Sequence, residues 1–214
     1  MDSDTLGLAP GAFAKLDTEE DEVFYEPARL VCHIDDGAIA ALTEFYRQTL
    51  PVGGVLLDLM SSWVSHLPPE IEYAEIIGHG MNAEELAANP RLSRWFMQNF
   101  NRDPILPLAD DSIDAAMMCV SIQYLEHPVE VLREVARVLR PTGPVVVSFS
   151  NRCFWTKAVA VWRALDDDGH VRLVEQYLRH AGFTNVETHR LAEWVEDVSD
   201  PMIAVVGRSP APAV

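Results

Sequence analysis

Residues 54–63 read Gly-Val-Leu-Leu-Asp-Leu-Met-Ser-Ser-Trp. The apolar run ends at a single carboxylate, Asp58, and it follows the helix breakers Pro51, Gly53 and Gly54. A run this short, preceded by breakers, is typical of a buried parallel strand. In open α/β sheets a ligand binds beyond the carboxyl ends of the strands, where the first strand passes to the first helix. We therefore expect Asp58 at a ligand site, with a helix beginning shortly after it.

The turn after this strand has an unusual composition. Glycine is the usual residue there, because it lets the backbone approach a ligand closely. Here the turn contains Met60, Ser61, Ser62 and Trp63, and no glycine occurs from 55 to 77. The sequence therefore predicts a site in the usual place with an unusual lining.

Outward from this strand, apolar runs alternate with helical patterns. Asp35 and Asp36 favour a helix start and Pro51 ends that helix. Residues 95–100 fit either a third strand or the end of a helix, and we favour the strand. The remaining strands are expected at 73–78, 113–120, 145–150, 186–191 and 202–206. The remaining helices are expected at 83–89, at 128–139 and at 171–181. This alternation predicts an α/β fold with a doubly wound, seven-stranded, mostly parallel sheet and an antiparallel edge hairpin.

The domain organisation follows from composition. Residues 1–22 contain glycines, a proline and the acidic run 17–22, so we expect a flexible acidic arm. We expect residues 23–208 to form one domain, in which 23–50 supply an N-terminal lid and helix, and 209–214 to form a loose tail.

Charge and cysteine usage limit the classes of partner. The 214 residues include 16 basic and 33 acidic side chains, for a formal net charge of -17. Such a surface repels phosphate backbones and anionic lipids, so we expect a small-molecule substrate and neither nucleic acid nor membrane as a partner. Three widely spaced cysteines and an acidic N-terminus without a signal pattern favour a cytoplasmic protein. The oligomeric state stays open.

Two later segments carry a family resemblance. Residues 106–117 (Leu-Pro-Leu-Ala-Asp-Asp-Ser-Ile-Asp-Ala-Ala-Met) and 132–143 (Leu-Arg-Glu-Val-Ala-Arg-Val-Leu-Arg-Pro-Thr-Gly) resemble the class I S-adenosylmethionine-dependent methyltransferases, of the type 11-like branch. Residues 181–183 are similar to that family's late helix–strand junction. The resemblance covers roughly residues 50–207 and implies a Rossmann-like methyltransferase fold with S-adenosylmethionine as cofactor.

The early motifs depart from the family pattern, as in a divergent subfamily. The family's glycine-rich loop aligns to residues 58–64, where its glycines are missing. The family's ribose-binding acid aligns to Gly80, and its adenine-binding acid falls near Asn99 or Asn101.

On this alignment we assign a set of cofactor-binding residues. Asp58 is either a ligand-contacting carboxylate or a turn cap. The Ser61 and Ser62 hydroxyls hold a carboxylate or ribose, or they cap the following helix. Trp63 offers a flat face to adenine or a sulfonium, or it belongs to the core. The full set is Asp58, Met60, Ser61, Ser62, Trp63, Asn82, Asn99 and Asn101.

Other residues fall where an acceptor would bind. Three cations stand out in this acidic chain: Arg29, Arg152 and Lys157. Either at least one of them binds a substrate carboxylate, or they pair with acidic residues on the surface. The substrate-binding set is Arg29, Gln123, Asn151, Arg152 and Lys157. Candidate general bases are Tyr25, His33 and Tyr124. The histidines at 33, 66 and 79 lack the spacing of a metal site, so we expect no metal there.

The function expected from these residues is methyl transfer from S-adenosylmethionine to a small acceptor by in-line displacement. The alternative is a non-methylating member of the fold that binds another small ligand or serves as a scaffold, because the glycine loop and the ribose acid are both missing.

Overall fold

The computed structural model describes residues 6–195 and 199–211. Its helices are α1 (Asp21–Tyr25), α2 (Asp36–Thr49), α3 (Ala83–Ala88), α4 (Pro128–Val138), α5 (Ala160–Arg163) and α6 (Asp167–His180). Its strands are β1 (Val55–Leu59), β2 (Glu75–Gly80), β3 (Arg94–Met97), β4 (Ala115–Cys119), β5 (Pro144–Phe149), β6 (Thr184–Ala192) and β7 (Met202–Arg208). No helix in these described stretches is long and apolar enough to cross a membrane.

The seven strands form one sheet in the order β3-β2-β1-β4-β5-β7-β6. The five strands β1 to β5 run parallel, and β7 lies antiparallel to both β5 and β6. This arrangement confirms the predicted fold class, including the antiparallel edge hairpin. The order changes direction at β1 and β4, so the carboxyl ends of these two strands open into the crevice where ligands of such folds bind.

Cap residues explain several element boundaries. The Asp35 side chain accepts a hydrogen bond from the Ala38 amide, and α2 ends just before Pro51. Pro128 occupies the first turn of α4, where its missing N–H leaves no bond unmade. Gly182 follows α6 with a φ of +98°, a conformation that a residue without a Cβ adopts at little cost. These boundaries match the sequence expectation to within a few residues.

The connection from β1 to β2 differs from the expectation. Residues 60–74 contain no helix, so the predicted helix after the first strand is wrong. The segment is fixed instead by packing and side-chain bonds. Leu67 is buried in a hydrophobic cluster with Leu42 of α2 and Leu56 of β1. Ser61 and Ser62 therefore cap no helix, and their hydroxyls are used elsewhere.

The N-terminal arm packs on the domain, which corrects the expectation of a loose segment. Leu6, Leu8 and Phe13 contact the main core cluster, and the amides of Leu16 and Asp17 donate to the Thr156 carbonyl. The burial of these apolar side chains holds the arm on the domain, although residues 17–22 are mostly acidic. Residues 1–5 of the predicted arm lie outside the described residues.

The predicted tail also begins in packed structure. Ser209 is buried, and its hydroxyl donates to the Arg140 carbonyl at 2.6 Å. The last three residues of the predicted tail, 212–214, lie outside the described part.

Candidate functional site

A cavity of about 340 Å³ opens at the carboxyl ends of the parallel strands. The last residues of β1, β2 and β4, which are Leu59, Gly80 and Cys119, all line it. The opposite wall comes from a segment that we call the strap, residues 21–34, which contains α1. A cavity of this size falls within the range of about 300–1,000 Å³ that is usual for small-molecule sites.

Asp58 lies at the floor of this cavity and is 4% exposed. Its Oδ2 accepts two hydrogen bonds of 2.6 Å, from the hydroxyls of Ser61 and Ser65. Burial raises the pKa of Asp58 to about 6, and the two serine bonds counter part of that effect. A carboxylate with a pKa near neutrality, in a concave site, is a marker of a functional group.

His79 in β2 binds the backbone of the turn after β1. Its Nδ1 accepts from the Met60 amide at 3.0 Å, and its carbonyl accepts from the Ser61 amide at 2.7 Å. Since Nδ1 accepts, the ring proton resides on Nε2, which donates to the Gln98 carbonyl. Burial lowers the pKa of His79 to about 4, so the neutral form is the one that holds the turn. The amides of Met60 and Ser61 are therefore not available to a ligand.

Gly80 occupies the position of the family's ribose-binding acid for a steric reason. A Cβ on Gly80 would lie 2.7 Å from the Ser61 carbonyl oxygen, closer than side chains approach backbone oxygen. Glycine is thus required at 80 because the serine turn leans over the end of β2. The missing glycines of residues 58–64 and the missing acid at position 80 therefore belong to one local rearrangement.

The next five residues supply the polar backbone of the cavity wall. Residues 62–66 all line the cavity, and within the described chain their amide N–H groups donate to no protein acceptor. The Ser62 carbonyl accepts from Asn89, and the Trp63 indole donates to the Val31 carbonyl of the strap at 3.1 Å. Trp63 and Met60 thereby form walls of the cavity and do not fill it.

Glu85 of α3 is a carboxylate of this site that the sequence did not reveal. Its Oε1 accepts from the Arg29 amide at 2.7 Å and its Oε2 from the Ser62 hydroxyl at 2.6 Å. It lies five residues after Gly80, in the first turn of α3, and lines the same cavity. The only sequence signal was its place in the first turn after β2.

The three predicted asparagines line the cavity and also hold its walls together. Asn82 caps α3 through its Oδ1, and its Nδ2 donates to the carbonyls of Tyr25 and Glu26 in the strap. Asn101 donates to Asp21 at 2.9 Å and to the Tyr124 carbonyl, and the Asn99 oxygen accepts from the Asn101 amide. Their amide groups are therefore partly committed to the protein.

The predicted basic residues separate into two groups. Arg29 and Arg152 line the cavity, and Arg152 pairs with Asp200 at 2.8 Å. Lys157 is fully buried and does not line the cavity; it donates to the Glu19 carbonyl and lies 3.4 Å from Asp21. The expectation that Lys157 binds substrate is corrected by this placement, since its charge fixes the arm.

Gln123 and Asn151 also lie outside the cavity wall, which corrects their assignment as substrate-binding residues. The Gln123 amide donates to the Val120 carbonyl at 2.8 Å, and its side chain is buried. Asn151 is exposed, and its Oδ1 accepts from the Ser150 hydroxyl. Each residue follows a strand end as predicted, but each side chain forms its hydrogen bond with a residue nearby in the chain.

The three candidate bases all line the cavity but differ in proton affinity. Burial raises the pKa of Tyr25 well above its usual value, and burial likewise raises the pKa of Tyr124, so both phenols stay protonated. The Tyr124 oxygen also accepts from the Phe154 amide at 2.8 Å. Desolvation lowers the pKa of His33, so its ring is neutral at pH 7. His33 is the one of the three that can accept a proton.

Three non-glycine residues of the cavity wall have left-handed backbone. Met60 and His66 have φ values of +52°, and Val120, after β4, has +42°. Such conformations are uncommon for residues other than glycine and cost of order 1–3 kcal/mol each. Strain of this kind collects at ligand sites, where the surrounding structure enforces it.

Comparison with known proteins agrees with this geometry. Residues 72–147, from the approach to β2 into β5, match the family model described as a methyltransferase domain. The chain has the fold of the class I methyltransferases, and its central segment is similar to that family's domain. The malonyl-[acyl-carrier protein] O-methyltransferase of Methylococcus capsulatus is 37% identical over 87 residues, which is 38% of this chain. The match spans only 32% of that relative's length.

Solved structures show the same methyltransferase fold at low identity. One is a putative methyltransferase in complex with the Haloferax volcanii Trm112 methyltransferase activator, with a TM-score of 0.60, 16% identity, and 84% of this chain and 92% of that chain covered. Another is the [4+2]-cyclase SpnF, with a TM-score of 0.61, 16% identity, and coverage of 86% and 89%. The fold thus also occurs in a protein that is named for a different reaction.

Proposed function

We propose that this methyltransferase-fold protein transfers a methyl group from S-adenosylmethionine to a small acceptor bound in the cavity. The observation that carries the proposal is the cavity itself. It lies at the carboxyl ends of β1, β2 and β4, and Met60 and Trp63 border it without blocking it. The match of residues 72–147 to a methyltransferase domain supports the same reaction class.

The residues present fit a nucleoside cofactor through a set that differs from the family pattern. Asp58 and Glu85 supply carboxylate acceptors for hydroxyl or ammonium groups, and the amides of residues 62–66 supply donors. Glu85 takes the role of the missing ribose acid, because Gly80 cannot carry a side chain beneath Ser61. Each Glu85 oxygen accepts one protein hydrogen bond and keeps capacity for a second.

Bound S-adenosylmethionine supplies a methyl group on a sulfonium sulfur. The protein's part is to hold an acceptor in line with that carbon and to exclude water. Where the acceptor loses a proton, His33 takes it, because its ring is neutral while the phenols of Tyr25 and Tyr124 stay protonated. The strap closes the cavity on the side opposite the sheet.

Isothermal titration with S-adenosylmethionine and S-adenosylhomocysteine tests the proposal directly. We expect saturable binding of both, and at least a tenfold loss of affinity in Glu85→Gln, which removes the charge offered to the ribose. The matched control is Glu84→Gln, one residue earlier on the exposed face of α3, which should bind like the parent. If neither compound gives heat or a thermal shift at millimolar concentration, the proposal is wrong.

One observation favours a second function, binding of a different small ligand without methyl transfer. His79 uses the amides of Met60 and Ser61, which removes two of the backbone donors at the end of β1. A fold neighbour named as a [4+2]-cyclase shows that the fold is found with other chemistry. Binding of S-adenosylhomocysteine together with no methyl transfer to any member of an acceptor panel would favour this second function.

A further inference from the structure

Arg29 differs from the other cations around the cavity. The arginines that line it are Arg29 and Arg152, and Arg152 is paired with Asp200. Across the described residues Arg29 makes no ion pair with a carboxylate side chain; its contact with Glu85 comes from its backbone amide. The chain carries 33 acidic side chains against 16 basic ones, so a cation left without a carboxylate at a cavity wall is notable.

The guanidinium of Arg29 is nevertheless held firmly. Its two terminal nitrogens donate to the carbonyls of Pro27 at 3.1 Å and Phe24 at 2.9 Å, both within the strap. Its carbon lies 4.6 Å from the centre of the Phe24 ring and 5.4 Å from that of Phe154. Two carbonyl bonds and two aromatic rings fix the plane of the group before any ligand binds.

This fixed group keeps unused donor capacity. A guanidinium has five N–H groups, and the two carbonyl bonds of Arg29 use two of them. The planar fork matches the two oxygens of a carboxylate, and such charge-assisted pairs are about twice as strong as neutral hydrogen bonds. Among the neighbouring cavity groups the Tyr25 phenol and the His33 ring are neutral. The nearby Glu85 carboxylate accepts from the Arg29 backbone amide and forms no ion pair with the guanidinium.

We propose that Arg29 is the carboxylate-binding residue of the cavity and pairs with a carboxylate of the bound ligand. The inference rests on the proposed function, since it names a group that the ligand of that site must carry. Two ligands can supply this group: the amino-acid end of the cofactor, or an acceptor that is itself a small carboxylic acid. The recognition chemistry is the same for both sources.

The test compares pairs of ligands that differ only in the carboxylate. The cofactor arm titrates S-adenosylhomocysteine against its decarboxylated analogue. The acceptor arm titrates phenylacetate against phenylacetamide, whose ring suits the Phe154 wall of the cavity. In at least one arm we expect the carboxylate compound to bind at least tenfold more tightly than its partner without the carboxylate. That preference should fall to about one in Arg29→Met and stay intact in Arg152→Met.

The arm in which the preference depends on Arg29 identifies the source of the carboxylate. No carboxylate preference in either arm, or a preference that survives Arg29→Met in both, overturns the inference. If Arg29→Met fails to fold, Arg29→Lys replaces it, because lysine keeps the charge but lacks the planar fork of nitrogens. The carboxylate preference should then fall at least threefold, and a smaller decrease counts against the inference. If no nucleoside binds, the proposed function fails while the acceptor arm still decides the role of Arg29.

Discussion

Asp58 shows, at the scale of one residue, a conflict between stability and ligand binding. Its carboxyl is 4% exposed and satisfied by two serine hydroxyls, with no cation paired to it among the described residues. Burial raises its pKa to about 6 from an ordinary 3.8. A raised pKa means that the folded state prefers the protonated form, so ionisation at neutral pH destabilises the fold.

We expect Asp58→Asn to stabilise the protein above pH 6. Between pH 3.8 and about 6 the folded parent holds the proton more tightly than the unfolded chain, so its stability falls across that window and stays lower above it. The difference corresponds to up to about 3 kcal/mol at pH 8, which the neutral amide avoids while its oxygen still accepts from Ser61 and Ser65. Urea unfolding at pH 8 and pH 3.5 measures the gain, which should vanish at the lower pH.

The matched control is Asp114→Asn. Although burial alone raises the pKa of Asp114, hydrogen bonds from the Val55 amide and Arg140 hold it below the ordinary value, so this change should destabilise the protein at pH 8. A loss of stability in Asp58→Asn would contradict the buried, ionised state of Asp58. The same variant should lose the thermal shift given by S-adenosylhomocysteine, as expected where a strained site serves binding.

Single residues also show how far sequence reasoning reaches into the site. Asp58 and Arg29 could be placed at the cavity because the ends of adjacent parallel strands and the segment over them share one crevice. Lys157 could not, because its partners Glu19 and Asp21 come from an arm more than 130 residues away in the chain. Glu85 was missed because a glutamate in the first turn of a helix usually needs no explanation beyond the helix dipole.

At the scale of elements, the strap depends on side chains for its position. Asn82 donates to the carbonyls of Tyr25 and Glu26, Trp63 donates to the Val31 carbonyl, and Glu85 accepts from the Arg29 amide. Few backbone hydrogen bonds tie this segment to the sheet, because its backbone bonds lie within or next to α1. Side-chain contacts of this kind can open without unfolding the domain.

Asn82→Asp separates the two roles of that residue. Aspartate keeps an oxygen to cap α3, but it loses the amide that donates to Tyr25 and Glu26 and brings negative charge towards those carbonyls. We expect faster hydrogen exchange in residues 21–29, by about tenfold, with α3 protected as before. Exchange measured by mass spectrometry checks this, with exposed Asn151→Asp as the control. Uniformly faster exchange, or no change in the strap, would contradict the proposed anchoring.

Element boundaries were predictable where a residue type dictates them. Asp35 and Pro51 bracket α2, and Pro128 marks the start of α4. The absence of a helix between β1 and β2 was not predictable, since Ser61 and Ser62 are good helix caps in isolation. That segment is set by tertiary partners: His79 holds its first amides, and Leu67 is buried beside α2.

At the scale of the whole molecule, the sheet could be derived from alternation of apolar runs and helical patterns. Parallel strands need helical crossovers, and two successive late strands without one form an antiparallel pair. The packing of residues 6–17 could not be derived, because acidic composition argued for a solvated arm. Leu6, Leu8 and Phe13 pack against a core cluster that forms only in the folded domain.

The net charge of -17 predicts how the folded molecule responds to salt. Acidic groups repel one another more strongly in the compact state, and raising ionic strength from 10 to 150 mM shortens the screening length from about 30 to about 8 Å. If screening gains about 1 kcal/mol, the midpoint of thermal unfolding at pH 8 should rise by about 2–4 °C. Near pH 4.6, the isoelectric point, the same salt step should change it little. A midpoint that falls with salt at pH 8 would mean that ion pairs such as Arg137 with Asp110 and Glu134 outweigh the net repulsion.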